Sequence, residues 1–413
     1  MKKSFYIISV LLTMVSTVFA QNALTVSGSP VQIPSGGAGN LIIYFQFDEA
    51  DLYAAYSFDV ALPEGISVVD TKTYTLGDCH VDHGMTINYK ADEKVYSFAS
   101  LSQNSEVLKG TSGMLISVPI KADASLTSGT VLNAKIQNIV FGTKRAVYVP
   151  VENDVDFEIE ISDKWILDEN SPAPPVASGK AVNVEVKRTV KAGQWSTIVL
   201  PFTMPQTDVK RVFGDDVEIA TWDTWEVTDY DDDLNVYAVV LKFKTPSAVQ
   251  LKQGFKAGII YLFKSVNDVK SFTVEGVEIT STSVEASQIK ESGDWESTGY
   301  ARGTYVATKV PAQGLFINSN KFWYSTGKTN IKGFRAWFDL GEVVSASYNT
   351  GSDARINITI DGEATSVDGI PSYQHAVEGV YDLSGRKIQL KDGDLNNLQK
   401  GVYIIDGKKV TIK

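Results

Sequence analysis

Cysteine and histidine are nearly absent from this sequence, and so are the chemistries that depend on them. The 413 residues include one cysteine, Cys79, and three histidines. A single cysteine has no partner for an intramolecular disulfide. Positive charge is also in deficit, with 38 Lys and Arg against 49 Asp and Glu and a formal net charge of −11. This balance argues against nucleic acid or an anionic membrane as a partner, because both require clustered basic residues.

Catalytic signatures are lacking as well. The sequence contains no G-x-S-x-G elbow, no H-E-x-x-H zinc motif and no phosphate-binding P-loop. A Ser-His-Asp triad would have to recruit His80, His83 or His375. We therefore expect a protein that is not an enzyme. A polysaccharide-acting hydrolase remains an alternative, because the distance between two catalytic carboxylates is not encoded in their spacing along the chain.

Residues 1–20 have the pattern of a cleavable signal peptide. Lys2 and Lys3 supply the positive start, residues 5–15 form the apolar segment, and Val18-Phe19-Ala20 is a small-residue site before Gln21. The apolar segment is shorter than the roughly 20 residues that a membrane span requires. We expect cleavage between Ala20 and Gln21, export of the chain, and no transmembrane segment after processing.

Strand patterns dominate the remainder of the chain. Short runs of alternating, β-branched and aromatic residues lie between turn residues, which is typical of sandwiches and barrels. Residues 207–214 are the only segment predicted as a helix, with Thr207 or Asp208 as N-cap and Gly214 at the end. The predicted fold class is all-β, with an N-terminal β-sandwich, a second aromatic-rich β-domain (sandwich or barrel) and a small C-terminal β-hairpin module.

Residues 22–163 predict eight or nine strands, a number that fits a two-sheet sandwich. The segments YAAYSFDVALPEGISVVD, VYSFASLS, GMLISVPIKA and IQNIVF follow one another in this region. Their order resembles that of the cohesin-like β-sandwich family. The resemblance implies a binding module, since cohesins bind dockerin modules and the same superfamily includes carbohydrate-binding modules.

Residues 164–180, with Pro172, Pro174 and Pro175, are predicted to be a linker that holds two domains apart. Residues 181–363 contain six of the seven tryptophans, enough apolar area for an independent core. Their segments GQWSTIVLPF, GTYVAT and IKGFRAWFDL resemble a β-domain of unknown function that is common in secreted Bacteroidales proteins. That resemblance implies a location and no chemistry. Residues 364–373 are predicted to be a second linker.

Residues 374–413 carry the most specific pattern. Two apolar runs, 402–405 and 408–412, flank Asp406-Gly407, which is a strong hairpin signal because both central residues tolerate a positive φ. The segments VYDLSGRKI and KGVYIIDGKKVTIK resemble the C-terminal sorting module of Bacteroidetes exported proteins. The resemblance implies type IX secretion, recognition by export machinery, and a final location that is extracellular or on the outer-membrane surface.

Aromatic side chains are the first candidates for a ligand site, because flat rings stack on the faces of sugars. The candidates are Trp222, Trp225, Trp323, Tyr324 and Trp337. Aromatic residues on strands more often belong to the core. Trp222 and Trp225 have an odd spacing, so a regular strand would place them on opposite faces and leave at least one exposed.

Carboxylates at Asp229, Asp231 and Asp233 are a weak calcium candidate. An EF-hand loop counted from Asp229 would require Gly at its sixth position and Glu at its twelfth, where this sequence has Leu234 and Val240. An acidic hairpin loop is the simpler interpretation. We expect no metal and no other cofactor.

The segment Cys79-His80-Val81-Asp82-His83 is a second metal candidate. Its spacing matches no strong zinc pattern, and a strand would separate Cys79 and His83 from His80 and Asp82. We therefore expect an exposed polar segment that leads from a loop into a strand.

Together these patterns predict a secreted or cell-surface binding protein that recognises a glycan or a partner protein module through its β-sandwich. A structural or adhesin component of the cell surface without a defined ligand is the alternative.

Overall fold

The computed structural model describes residues 23–26, 31–47, 50, 52–230, 236–341, 355–365, 380–382, 387–388, 401–405 and 408–412. Within these ranges the regular secondary structure is almost entirely strand, with two short helices, so the predicted all-β fold class is confirmed. Neither of the two helices in the described ranges has the length and apolar character that a membrane span requires.

The N-terminal sandwich comprises strands β1–β12. They are Ala23–Val26, Val31–Ile33, Ala38–Gln46, Tyr53–Ala61, Ile66–Val68, Thr75–Leu76, His83–Lys90, Val95–Ser102, Ser112–Ala122, Val131–Thr143, Tyr148–Pro150 and Val155–Ile161. One sheet has the order β1-β3-β9-β5, with β6 also paired to β9. The other has the order β2-β12-β10-β4-β8-β7, with β11 also paired to β10.

Strict alternation of apolar and small or polar residues explains why these strands form two layers. Along β4, Tyr56, Phe58 and Val60 are buried in the core between the sheets. Phe98 on β8 lies directly opposite Phe58, and the two rings stack with centroids 5.0 Å apart. The residues between the core positions point to the other side of the sheet, because strand side chains alternate.

The second β-region comprises strands β13–β28. They are Lys164–Asp168, Ala181–Lys187, Trp195–Ile198, Glu218–Tyr230, Val236–Lys244, Tyr261–Lys264, Phe272–Glu278, Ser287–Lys290, Thr298–Thr304, Thr308–Lys309, Ala312–Asn318, Lys321–Thr326, Asn330–Ile331, Arg335–Asp339, Arg355–Ile360 and Glu363–Ala364. The larger sheets have the orders β13-β14-β19, β15-β18-β16-β17-β27-β28 and β20-β21-β26-β23-β24. Two hydrophobic clusters, one around Phe213 and Phe263 and one around Trp225 and Phe338, fill the spaces between them.

The predicted helix is present as α1, Gln206–Phe213, and buries Val209, Val212 and Phe213. Its predicted cap was wrong, since the N-cap is Pro205, whose carbonyl accepts from the backbone N–H groups of Asp208 and Val209. A second helix, α2 at Ala248–Lys252, was not predicted. Its signal is in the sequence, because Ser247 and Gln250 form a reciprocal capping box.

The proline-rich segment does not act as a free spacer. Its first five residues form β13, which pairs in parallel with β14. We call the remaining residues, 169–180, the strap. The Asn40 side-chain amide donates to the Pro174 carbonyl at 2.6 Å, and Ala173 packs in a small cluster with Ile42 and Met114. The strap is therefore fixed against the N-terminal sandwich.

The C-terminal residues form strands β29–β32, Val380–Asp382, Lys387–Ile388, Gly401–Ile405 and Lys408–Ile412, in one sheet of order β30-β29-β31-β32. Ile405 lies opposite Lys408, which is the register of the predicted two-residue hairpin. The turn residues Asp406 and Gly407 lie outside the described residues, as does most of the second predicted linker.

Candidate functional site

The solvent side of the seven-stranded sheet carries small side chains, Ala55, Ser57, Ser97 and Ala99, on the neighbouring strands β4 and β8. We call this side the outer face. Three rows run across the strands, as the pairing register shows. The first is Tyr148–Gly142–Ala55–Leu101–Gly84, the second is Pro150–Val140–Ser57–Ala99–Thr86, and the third is Gln137–Asp59–Ser97–Asn88.

Two large apolar side chains project from the outer face into solvent. Tyr148 is 69% exposed and Leu101 is 58% exposed, and they belong to the same row. Between them lie Gly142 and Ala55, where an added Cβ on the glycine would be 3.4 Å from the alanine Cβ. The centre of the face is therefore low, with an apolar side chain raised on either side of it.

One corner of the outer face holds a fixed charge. The carboxylate of Asp59, which is 5% exposed, accepts from the Lys90 ammonium at 3.2 Å and from the Asn138 amide at 2.9 Å. Burial alone would raise the pKa of Asp59, but hydrogen bonds from Asn138, Ser97 and Lys90 and the charge of Lys90 hold it below the ordinary value. This carboxylate therefore stays ionised at neutral pH.

Asn138 reaches Asp59 because β10 is irregular at this point. The pairing of β10 with β4 shifts between Gln137 and Val140, and Asn138 has a φ of 55°. Asparagine tolerates this left-handed conformation better than most residues do. The bulge thus turns one amide onto the outer face beside the carboxylate.

Acidic side chains border the outer face on β12. Asp156, Glu158 and Glu160 occupy alternate positions and so share one side of the strand. Lys135 on the neighbouring strand offsets part of this charge, with its ammonium 3.3 Å from Asp154 and 3.8 Å from Asp156. The outer face therefore has small side chains at its centre and charged side chains along one border.

Two of the predicted aromatic ligands lie in the core. Trp225 is fully buried, Trp222 is 9% exposed, and the indole N–H groups donate to the carbonyls of Ile289 and Thr224. The expectation that they face opposite sides fails because β16 has a bulge between Trp222 and Thr224. The extra residue restores both indoles to the same side.

The other three aromatic candidates are spread over the sheet β20-β21-β26-β23-β24, which is the five-stranded sheet of the second β-region. Trp337 is 9% exposed and packs with Val310 and Ile331, and Tyr324 is half-buried against the core that contains Trp225. Trp323 is 44% exposed, and its indole N–H donates to the Asn318 carbonyl at 3.2 Å. Only Trp323 of the five offers a largely open ring.

Of the three predicted calcium ligands, Asp229 alone is among the described residues. Asp229 lies near the end of β16, whereas Asp231 and Asp233 lie outside the described residues, as do Ala20 and Gln21 of the predicted cleavage site. Within the ranges given above, no three His, Cys, Asp or Glu side chains are grouped as metal ligands would be.

The cysteine-histidine segment leads from a loop into β7, as predicted, but Cys79 and His83 are buried and not exposed. The imidazole of His80 lies 2.9 Å from the Tyr56 hydroxyl and contacts the Gly77 carbonyl, and its ring centroid is 5.2 Å from that of His83. Burial raises the pKa of the Cys79 thiol to about 12. Burial also lowers the pKa of both imidazoles, so the pair is neutral at neutral pH.

The outer face was not predicted residue by residue. Its signal is nevertheless present, because strands β4 and β8 alternate large core residues with Ala55, Ser57, Ser97 and Ala99. A solvent-facing strand that carries alanine and serine instead of long charged side chains is the pattern that would have indicated it.

No family model matches this chain, and no curated protein matches it. Several solved structures are similar to part of it. A cohesin module from a family 33 glycoside hydrolase of Clostridium perfringens is 11% identical over 34% of this chain and 96% of that module, with a TM-score of 0.28. A Clostridium thermocellum cohesin, solved in complex with a dockerin, is 11% identical over 34% and 99%, with a TM-score of 0.28. A non-cellulosomal cohesin from Archaeoglobus fulgidus is 15% identical over 33% and 90%, with a TM-score of 0.26.

Proposed function

We propose that this protein is an exported, non-catalytic binding protein whose N-terminal sandwich holds a partner protein on the outer face. The observation that carries this proposal is the combination of a small-residue centre with the exposed side chains of Tyr148 and Leu101. A contiguous exposed apolar surface is one of the features that mark interaction sites on soluble proteins.

The chemistry of the outer face suits a protein more than a sugar. The small side chains of Ala55, Ser57, Ser97 and Ala99 let a partner protein approach the strands closely, and tyrosine at such a surface combines apolar area with a hydroxyl group. Affinity in protein interfaces concentrates in a few side chains surrounded by contacts that exclude water. Tyr148 and Leu101 fit that role, and the charged border fits the role of a polar rim.

Sequence patterns support the same class of protein. Residues 22–163 resemble cohesins, whose partners are dockerin modules, and the absence of catalytic motifs agrees with a binding role. The patterns of residues 1–20 and 374–413 support export to the cell surface or beyond. In this proposal the second β-region is a companion domain, and no cofactor takes part.

The test is to block the centre of the outer face. Ala99 lies in the middle row and is exposed, so Ala99→Arg places a long charged side chain on the face without disturbing the core. Full-length protein is used to isolate a partner from culture medium and cell-surface extract, and the dissociation constant of the purified pair is then measured. We expect Ala99→Arg to weaken binding at least 100-fold, because the arginine side chain prevents close packing at the centre of the interface and admits water there.

The matched control is Ala248→Arg, because Ala248 is an exposed alanine in the second β-region. This variant is expected to bind as the wild type does. If Ala99→Arg binds with unchanged affinity, the partner does not use the outer face. If the wild-type protein binds no partner, the structural or adhesin role without a defined ligand is favoured instead.

A further inference from the structure

A cleft of about 510 Å³ lies between the N-terminal sandwich and the second β-region. One wall is formed by strands β2 and β3, including Asn40, Ile42 and Tyr44. The opposite wall is formed by β13 with Trp165 and Asp168, and the strap closes one side. Its volume is within the range of small-molecule sites, which are often found where two domains meet.

The cleft is held open by fixed contacts on both sides. The Asn40 amide donates to the Pro174 carbonyl, which joins the strap to the sandwich wall. The backbone N–H of Ala307 donates to the Ser171 carbonyl at 3.2 Å, and that of Gly333 donates to the Glu169 carbonyl at 2.6 Å. These bonds join the strap to the second wall. A ligand would therefore enter a preformed site and would not have to bear the cost of ordering it.

Four of the side chains that line the cleft are aromatic. Tyr44 is half-buried on the sandwich wall, and Trp165, Tyr305 and Phe334 are buried on the other side. Burial, together with the charge of Asp168, raises the pKa of the Tyr44 phenol, so its hydroxyl remains a hydrogen-bond donor across neutral pH. The cleft thus offers the partly exposed ring of Tyr44 together with the Tyr44 hydroxyl as a hydrogen-bond donor.

The polar lining has no excess of either charge. Asp168 and Lys187 are register partners on the parallel strands β13 and β14, so the lining contains one negative and one positive residue on neighbouring strands. The other polar lining groups, those of Gln32, Asn40, Asn170 and Ser171, are uncharged. Such a lining does not select an ion, but it can exchange many hydrogen bonds with a neutral hydroxylated molecule.

We propose that this cleft binds a neutral oligosaccharide of two or three sugar units, with one sugar face against Tyr44 and its hydroxyl groups bonded to the amides and to the Asp168–Lys187 pair. The combination of aromatic ring, neutral amides and balanced charges matches a molecule with apolar faces and hydroxylated edges. The site is separate from the outer face, so this proposal does not depend on the proposed protein partner.

The test is binding of full-length protein to a panel of neutral gluco-, manno-, xylo- and galacto-oligosaccharides of two to four units, measured by calorimetry. We expect at least one to bind, and Tyr44→Leu to weaken it at least tenfold while keeping apolar contact with Ile42 and Ala173. Tyr89→Leu is the control, because Tyr89 is 53% exposed and lies away from the cleft. A melting curve for each variant separates loss of binding from loss of folding.

Lys187→Met provides a second variant that leaves the aromatic wall intact, and it is also expected to weaken binding. Trp323→Ala distinguishes the cleft from the exposed indole on the five-stranded sheet. If Trp323→Ala abolishes binding and Tyr44→Leu does not, sugar binds elsewhere and the cleft proposal fails. It also fails if no member of the panel binds the wild-type protein.

Discussion

Replacing Glu169 with glutamine is expected to lower the free energy of unfolding by about 3 kcal/mol, the cost typical of removing one partner from a buried ion pair. Glu169 begins the strap and is 3% exposed. Its carboxylate accepts from the Lys332 ammonium at 2.9 Å and from the Arg335 guanidinium at 2.7 Å. The fully buried Arg188 lies close by, with its guanidinium bonded to the carbonyls of Phe334 and Thr197.

The glutamine amide is nearly isosteric but neutral, so the variant leaves three cations near one another without a counter-charge. Arg188 is the most costly of them, because its guanidinium cannot reach water. Denaturant unfolding followed by tryptophan fluorescence measures the change. Glu185→Gln is the control, since Glu185 pairs with the half-exposed Lys164 and its replacement should cost less than about 1 kcal/mol.

The effect of Glu169→Gln should also depend on pH. Burial would raise the pKa of Glu169, but the charge of Arg335 and the hydrogen bonds from Lys332 and Arg335 hold it below its ordinary value of 4.5. A lowered pKa stabilises the fold above the unfolded-state value, and this contribution is lost as the pH falls through the folded-state value. The difference in unfolding free energy between wild type and variant should therefore be largest at pH 7. It should disappear as the pH falls below 4.5 through the folded-state pKa of Glu169. An equal difference at both pH values would contradict an ionic role for Glu169.

Replacing Gly77 with alanine is expected to destabilise the N-terminal sandwich by about 3 kcal/mol, the upper part of the range for overpacking. A Cβ at Gly77 would lie 1.7 Å from the Met114 carbonyl oxygen and 2.7 Å from its carbon. These are backbone atoms of β9, a central strand of the sheet β1-β3-β9-β5 in the N-terminal sandwich. No side-chain rotation can therefore relieve the contact. The backbone N–H of Gly77 also donates to the Leu115 carbonyl, which holds the two segments together.

Gly84→Ala is a matched control within the same sandwich. Nothing lies within 4 Å of a Cβ built at Gly84, and neither glycine has a positive φ. We expect this control to change the stability by less than about 0.5 kcal/mol. The midpoint of thermal unfolding of the two full-length variants makes the comparison. Equal midpoints would show that Gly77 is not in close contact with β9.

The sequence predicted the fold class because alternation and turn residues are local signals. The C-terminal hairpin follows from Asp406-Gly407 alone, and the core of β4 follows from Tyr56, Phe58 and Val60. The bulge beside Trp222 did not follow, since an extra residue in one strand is defined only by the register of its partner. The expectation that Trp222 and Trp225 lie on opposite sides of the strand was therefore wrong.

The strap shows a second limit of sequence reasoning. Pro172, Pro174 and Pro175 led to the prediction of a linker, and the strap that contains them has no helix or strand. Whether such a segment is free or fixed depends on distant residues, here Asn40 and Arg335, which lie far from it in the sequence. Glu169 looked like one acidic residue among many, and only the three-dimensional contacts show that it is buried.

The outer face can be tested most directly by following one thiol. The natural Cys79 is buried and its pKa is raised to about 12, so Ala99→Cys introduces the only readily reactive thiol in the chain. Maleimide labelling of this full-length variant is measured with and without saturating purified partner, beside Ala248→Cys. If the outer face holds the partner, labelling at position 99 slows at least tenfold and labelling at position 248 does not change. Labelling at position 99 that is equally fast with and without bound partner would contradict the account.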